Sequence, residues 1–140
     1  MRKATIMSHH IAILNKKYLD LILTRQKTIE CRLTRIACAP FSRISVGEQV
    51  FLKQSSGPVK GKASVKEVRF YRDLTPEKIE NIHLEYNNEI LGDDDYWQSR
   101  MDCRYCTLIW LRNIVKLDPF PVKNRTRQGW IIKPDSTKLI

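Results

Sequence analysis

The chain has 140 residues, 42% apolar and 29% charged, with 25 Lys and Arg against 15 Asp and Glu for a formal charge of +10. That length makes one domain spanning 1–140, with enough core to fold without disulfide or metal staples, and the composition excludes a low-complexity chain. The apolar stretches are strand-sized, too short to cross a bilayer, and the excess charge attracts polyanions at long range, nucleic acid above all.

In chain order, residues 9–14 (His-His-Ile-Ala-Ile-Leu) predict a short strand. Asn15 then offers an N-cap to a short helix that carries Tyr18, Leu19, Ile22 and Leu23 on one face and runs out near Arg25-Gln26. Residues 28–33 alternate as a strand. Ile29, Cys31 and Leu33 take the core side, and Thr28, Glu30 and Arg32 face solvent or a cleft. A loop through Ala39-Pro40-Phe41 ends at the turn Val46-Gly47-Glu48. Strands at 49–54 and 61–71 follow, joined through Ser55-Ser56-Gly57-Pro58, and the second breaks its alternation between Val65 and Val68, the mark of a bulge. Thr75, Pro76 and Glu77 start a second helix with Ile79, Ile82, Tyr86 and Ile90 as its stripe. Gly92 is expected to end it, and Asp93-Asp94-Asp95 to cap a short third helix holding Tyr96, Trp97 and Met101. Strands at 105–117 and 129–133 close the chain. Between them lie Asp118-Pro119-Phe120-Pro121-Val122, extended by its prolines, and the basic run Lys123-Asn124-Arg125-Thr126-Arg127. Short strands, with helices inserted at the first connection and in mid-chain, indicate an α+β protein built on a small β-barrel.

The opening residues, Met1 to Ser8, hold no apolar run of secretory length, so a cytoplasmic location and reduced cysteines are expected. Cys103 and Cys106 have C-x-x-C spacing, but Cys31 and Cys38 do not supply a second knuckle, and the surroundings lack the strand-then-helix context of a redox pair. Buried or half-buried thiols are expected, with no metal and no cofactor. His9 and His10 read as a strand start and His83 as a helix-surface residue.

Two polar segments stand out. In Lys27-Thr28-Ile29-Glu30-Cys31-Arg32, Lys27 and Glu30 bracket a strand and cannot both be buried passively. Lys27 suits a phosphate or, desolvated, a base, and Glu30 suits a base edge or the positioning of Lys27. The competing reading is a surface ion pair worth under ~1 kcal/mol. Lys53, Ser55, Ser56 and Gly57 combine a cation, two hydroxyls and backbone N–H groups for an anionic or polar ligand, against a plain hairpin turn. Trp130, just after the basic run, suits stacking on a base while Arg125 and Arg127 hold phosphates, against ordinary core packing. Trp97 is a candidate cover for the cleft, and Trp110 a core residue.

The order of these motifs resembles the ASCH family, a branch of the PUA-like superfamily. Lys27-Thr28-Ile29-Glu30-Cys31-Arg32 is similar to that family's G-x-K-T-h-E-x-R signature, h being apolar. Val46 to Leu52 is similar to its glycine-acid turn into a strand, and Ser55 to Val59 with Gly61 to Val65 to its following loop and strand. The resemblance is strong over residues 9–75 and rests beyond them on the order of elements. One departure is Arg25-Gln26, where the family carries glycine before the lysine. The resemblance implies a barrel with a cleft between the first helix and the strands, lined by Lys27 and Glu30.

What the resemblance implies for function spans three classes. The leading expectation is a non-catalytic RNA-binding module that holds a nucleotide or modified base, its partners being RNA or a nucleotide and its candidate contacts Lys27, Thr28, Glu30, Arg32, Lys53, Ser55, Ser56, Gly57, Arg125, Arg127 and Trp130. The second is a metal-independent hydrolase, either a ribonuclease or an amidohydrolase of the acetylcytidine type, with Lys27 and Glu30 as catalytic candidates. That amidohydrolase uses a lysine, a threonine and a glutamate. Here Glu30 takes the threonine's place, and no acid of the Thr75 to Glu85 segment clearly matches the third residue. The third class is a protein-interaction module, as in co-regulator relatives.

Overall fold

The computed structural model describes residues 7–123 and 128–134. Its elements are β1 (His9–Leu14), α1 (Lys16–Leu23), β2 (Ile29–Thr34), β3 (Gln49–Gln54), β4 (Val59–Tyr71), α2 (Pro76–Ile90), α3 (Asp94–Gln98), β5 (Tyr105–Phe120) and β6 (Trp130–Lys133). Local chemistry sets most boundaries. Asn15 caps α1 by accepting from the Lys17 N–H, Thr75 caps α2 from the Lys78 N–H with Pro76 next, and Asp93 caps α3 from the Tyr96 N–H. Gly47 takes a φ of 91°, open to glycine at no steric cost, and so makes the turn into β3.

The strands form one mixed sheet in the order β2-β5-β4-β3-β1-β6, with β1 and β3 parallel and the other pairs antiparallel. β4 and β5 are long, and their pairing slips three times, once between Val65 and Glu67, where the alternation of the sequence breaks. Each slip adds local twist, and together they curl the sheet into a half-barrel. Inside the curl, α1 packs Leu19 and Ile22 against Ala12, Leu52, Ala63 and Ile109. Gly61 permits this seat, since a Cβ there would lie 2.6 Å from Leu23 Cδ2 and 2.9 Å from the Val115 carbonyl oxygen. On the other face of β2 and β5, Ile79, Ile82 and Ile90 of α2 and Trp97 of α3 cover Ile29, Cys31, Leu33 and Leu108.

Several expectations change. β2 is buried on both faces. Glu30 pairs with Ile109 across the strands and therefore shares its side, the barrel interior. α2 ends at Leu91, which takes the left-handed conformation (φ 58°) expected of Gly92. Gly92 is needed for space instead, because a Cβ there would sit 2.7 Å from both Trp97 Nε1 and Tyr96 Cδ1. Met101 lies in a turn beyond α3, and β5 runs through Pro119 to Phe120. β2 pairs with β5 only as far as Trp110, so Pro119 interrupts no ladder on that edge. Trp110 is half-buried, with the Arg69 guanidinium 5.2 Å from its ring. His83 stacks on Trp97 at 4.4 Å with an 8° interplanar angle, and is no free surface residue. Cys31, Cys103 and Cys106 are buried thiols and Cys38 is half-buried. Among the described residues no helix is long and apolar enough to cross a membrane.

A buried polar chain joins β1, β6 and Glu48, in the turn just before β3. The Trp130 indole N–H donates to His10 Nδ1 at 2.9 Å, and an indole N–H can only donate. His10 therefore carries its proton on Nε2 and donates it to Glu48 Oε1 at 2.9 Å. Glu48 also accepts from the backbone N–H groups of Ser8 and Ser45. Burial pushes the imidazole below its ordinary value near 6.5, against the pull of Glu48 and with slight help from His9. Burial raises the Glu48 carboxyl, but the bonds from His10, Ser45 and Ser8 outweigh it and hold it low. Both groups thus bind protons more weakly folded than unfolded, so stability is full above about pH 6.5 and falls as pH drops through the imidazole and then the carboxylate range. Urea midpoints followed downward from pH 8 are expected to decline from just below pH 6.5. In His10→Gln, which cannot titrate, the decline is expected to begin only in the carboxylate range.

Candidate functional site

The site begins where α1 ends. Thr24 caps the helix, Arg25 turns with a φ of 66°, and the N–H groups of Gln26 and Lys27 both bond the Leu21 carbonyl at 3.0 Å. Arg25 thus adopts the conformation that glycine takes most easily, and the chain leaves the helix without one. This exit aims Lys27 inward, where only 3% of it is exposed. Its Nζ donates to the Ile90 carbonyl at the C-terminal end of α2, lies 3.5 Å from Glu30 Oε1 and sits 5.3 Å from the centre of the Tyr18 ring. The last carbonyls of a helix lack intrahelical partners and carry partial negative charge, which suits an ammonium.

Glu30, 6% exposed, faces Lys27 with one oxygen and accepts from Arg32 Nε with the other at 2.6 Å. Arg32 then reaches across the open side of the half-barrel. Nη1 donates to the Gly129 carbonyl at 3.1 Å and Nη2 to the Ile13 carbonyl at 3.0 Å, while the guanidinium lies 5.1 Å from the centre of the Trp130 ring. One side chain therefore links β2 to the β1–β6 side of the sheet. Burial pushes the Lys27 ammonium below its ordinary range, with Glu30 pulling the other way. For Glu30, burial pushes the carboxyl up, but the charges of Arg32 and Lys27 together outweigh it and keep it ionised.

Lys27, Glu30 and Arg32 face a cavity of about 550 Å³, walled by Tyr18 on α1, Tyr96 and Arg100 around α3, and Gly129 before β6. The Arg100 guanidinium lies 4.0 Å from the centre of the Tyr96 ring, and the Tyr96 hydroxyl donates to the Cys31 carbonyl at 2.7 Å. A second cavity of about 630 Å³ adjoins it, lined by Lys53, Ser55 and Ser56, and shares Ile13, Asn15, Gln128 and Gly129 with the first. Lys53 is 5% exposed, and its Nζ bonds only the Gln54 carbonyl, at 3.2 Å, among the described residues.

The geometry sorts the sequence candidates. Lys27, Glu30 and Arg32 come together, and the first two form a buried pair, not a surface one. Lys53, Ser55 and Ser56 stand in the neighbouring cavity. Thr28 is exposed outside both, its N–H donating to the Glu89 carbonyl and its carbonyl accepting from the Leu111 N–H. Gly57 lines neither cavity. The loop's backbone is also less free than its sequence implies, for the Ser55 N–H donates to the Leu14 carbonyl and the Gly57 N–H to that of Gln54. Trp130 is core, 2% exposed, with its N–H given to His10 and its ring beneath Arg32, leaving no open face for a base. Trp97 is buried behind Tyr96, which takes the wall position. Arg125 and Arg127 lie outside the described residues. Sequence reasoning missed Tyr96 and Arg100, which the i, i+4 spacing of an aromatic and a cation does signal. It also missed the burial of His10, which shares a strand face with Ala12 and Leu14.

Comparison with solved structures finds the ASCH protein of Zymomonas mobilis at a TM-score of 0.63 and 13% identity, over 79% of this chain and 71% of that one. One single-substitution form of that protein aligns at a TM-score of 0.69 and 13% identity, over 88% and 86% of the two chains. A second aligns at 0.63 and 15%, over 80% and 74%. The sequence matches no protein-family model and no curated protein. The likeness is therefore one of fold: the chain has an ASCH-like α+β fold, a curled six-stranded half-barrel with its helices between β1 and β2 and between β4 and β5.

Proposed function

We propose that the chain is a non-catalytic RNA-binding module that holds one nucleotide or modified base in the cavity floored by Lys27 and Glu30. The observation that carries this reading is a cation and a carboxylate, each under one-tenth exposed, meeting at the floor of a cavity of about 550 Å³. That size falls within the range of small-ligand sites. An ammonium that donates beside a carboxylate that accepts matches the mixed edge of a nucleobase, and Tyr18 with the Tyr96–Arg100 pair supplies flat walls for its ring. The charge of +10 suits the phosphate backbone on either side.

Hydrolysis is the second reading, supported by the lowered ammonium of Lys27, since a desolvated lysine is a better base. Two observations weigh against it. The hydroxyls of Thr34 and Ser99, which line the cavity, are bonded to the Ile36 and Tyr96 carbonyls, and neither touches Lys27. The acids at positions 77, 80 and 85 do not line it at all. Binding to a mixed-sequence single-stranded RNA is expected to weaken about 50-fold between 50 and 200 mM salt, the slope of roughly four neutralised phosphates. Salt-independent binding overturns the reading. Release of any product from RNA or from acetylcytidine replaces reader with hydrolase.

A further inference from the structure

Resting on that reading, we infer that the Lys53 cavity is a phosphate subsite, so that the unit recognised is a nucleoside monophosphate or an RNA phosphodiester and not a free nucleoside. The two cavities meet along a rim of Ile13, Asn15, Gln128 and Gly129, which puts them within the span of one ligand. Lys53 stands opposite Ile13 in the β1–β3 register, so its place beside that rim is set by the sheet.

Lys53 carries the argument. Lys53 as a residue is nine-tenths buried and its ammonium has three N–H groups, yet among the described residues it makes one part-buried bond, 3.2 Å long, to the Gln54 carbonyl, and no carboxylate pairs with it. A buried cation is costly unless it is paired, and a cavity lined by that cation calls for an anion. The loop beside it supplies matching donors. Gln54 to Gly57 is a tight turn closed by the Gly57 N–H on the Gln54 carbonyl at 2.9 Å, with Ser56 held at a φ of 56°. The hydroxyls of Ser55 and Ser56 and the Ser56 N–H have no partner among the described residues. One ammonium, two hydroxyls and a backbone N–H are what a tetrahedral anion with several acceptor oxygens requires. In the Lys27 cavity, by contrast, Lys27 and Arg32 are already paired with Glu30, whose carboxylate oxygens accept from a base. The two sites thus divide the nucleotide between them.

The test titrates the four nucleosides and their 3′- and 5′-monophosphates into the full chain by calorimetry. For at least one base, a monophosphate is expected to bind tenfold or more tightly than its nucleoside. Lys53→Met is expected to erase that gain and leave nucleoside affinity within twofold, with its unfolding midpoint measured alongside. The exposed-loop pair Ser55→Ala with Ser56→Gly, where glycine accepts the left-handed turn, is expected to remove several-fold of the gain without disturbing the fold. Nucleosides that bind with no gain from phosphate, or a gain that both variants keep, overturn the subsite while the proposed function stands. Absence of binding by any nucleoside, nucleotide or RNA overturns the proposed function and the subsite with it.

Discussion

Arg32→Met is expected to cost the fold about 3 kcal/mol, the penalty of stranding one partner of a buried ion pair. Methionine keeps the apolar stem, so what disappears is the charge and its bonds. Among the described residues Glu30 then retains only Lys27 at 3.5 Å, and the bonds to the Gly129 and Ile13 carbonyls are lost. For a chain of this length the loss is read as a melting point lower by roughly 10 °C. The double variant Glu30→Gln, Arg32→Met no longer buries a carboxylate and is expected to recover about 2 kcal/mol relative to the sum of the single changes. Urea unfolding of the four proteins closes the cycle. A single Arg32→Met effect within about 0.5 kcal/mol of zero contradicts the account of Arg32 as the link across the open side. On that account Arg32 is a positioning residue. Its three guanidinium nitrogens are each committed to the protein, and it reaches a ligand through Glu30.

Lys27→Met is expected to weaken nucleotide binding by about 100-fold, near the 2.7 kcal/mol of a charged hydrogen bond, while leaving the fold nearly as stable. The fold tolerates it because Arg32 still neutralises Glu30, and removing a desolvated ammonium offsets the lost bond to the Ile90 carbonyl. Alanine at both positions is a poorer test than the sequence suggests, since each side chain fills buried space. The pH dependence separates binding from stability. Burial holds the Lys27 ammonium below its ordinary value of 10.5, so affinity is expected to fall on the alkaline side at a lower pH than for an exposed lysine. Over the same window this group's contribution to stability rises, because the folded chain gives up that proton more readily than the unfolded one. Binding that weakens while the urea midpoint holds assigns the loss to the site. A Lys27→Met protein that binds within threefold of the parent places the ligand elsewhere.

Local patterns were legible wherever the deciding contacts lie within about four residues. Asn15, Thr75-Pro76 and Asp93 cap their helices as their chemistry requires, and the slip near Val65 follows the break in alternation. Leu91 and Arg25 escaped that reading. Each takes a left-handed turn at a helix end without being glycine; its N–H bonds a carbonyl of the helix just ended, a local contact that the residue type does not signal. β5 extends through Pro119 because, among the described residues, no strand pairs with that edge beyond Trp110. The polarity of Glu30 and Arg32 pointed correctly to a cleft and hid its depth, since the same strand buries its apolar face under α2 and α3.

By itself, then, the sequence determined the strands, the helix starts, the α+β class and the two polar segments, because periodicity and capping are short-range effects. The tertiary structure alone decided what those segments are for. It set Lys27 on a carbonyl 63 residues away and Arg32 on one 97 residues away, turned Trp130 from a stacking platform into core, and parted Lys53 from Lys27 into adjoining cavities. Whether a charge is buried, and beside what, depends on how a sheet curls and closes, and no local pattern carries that information.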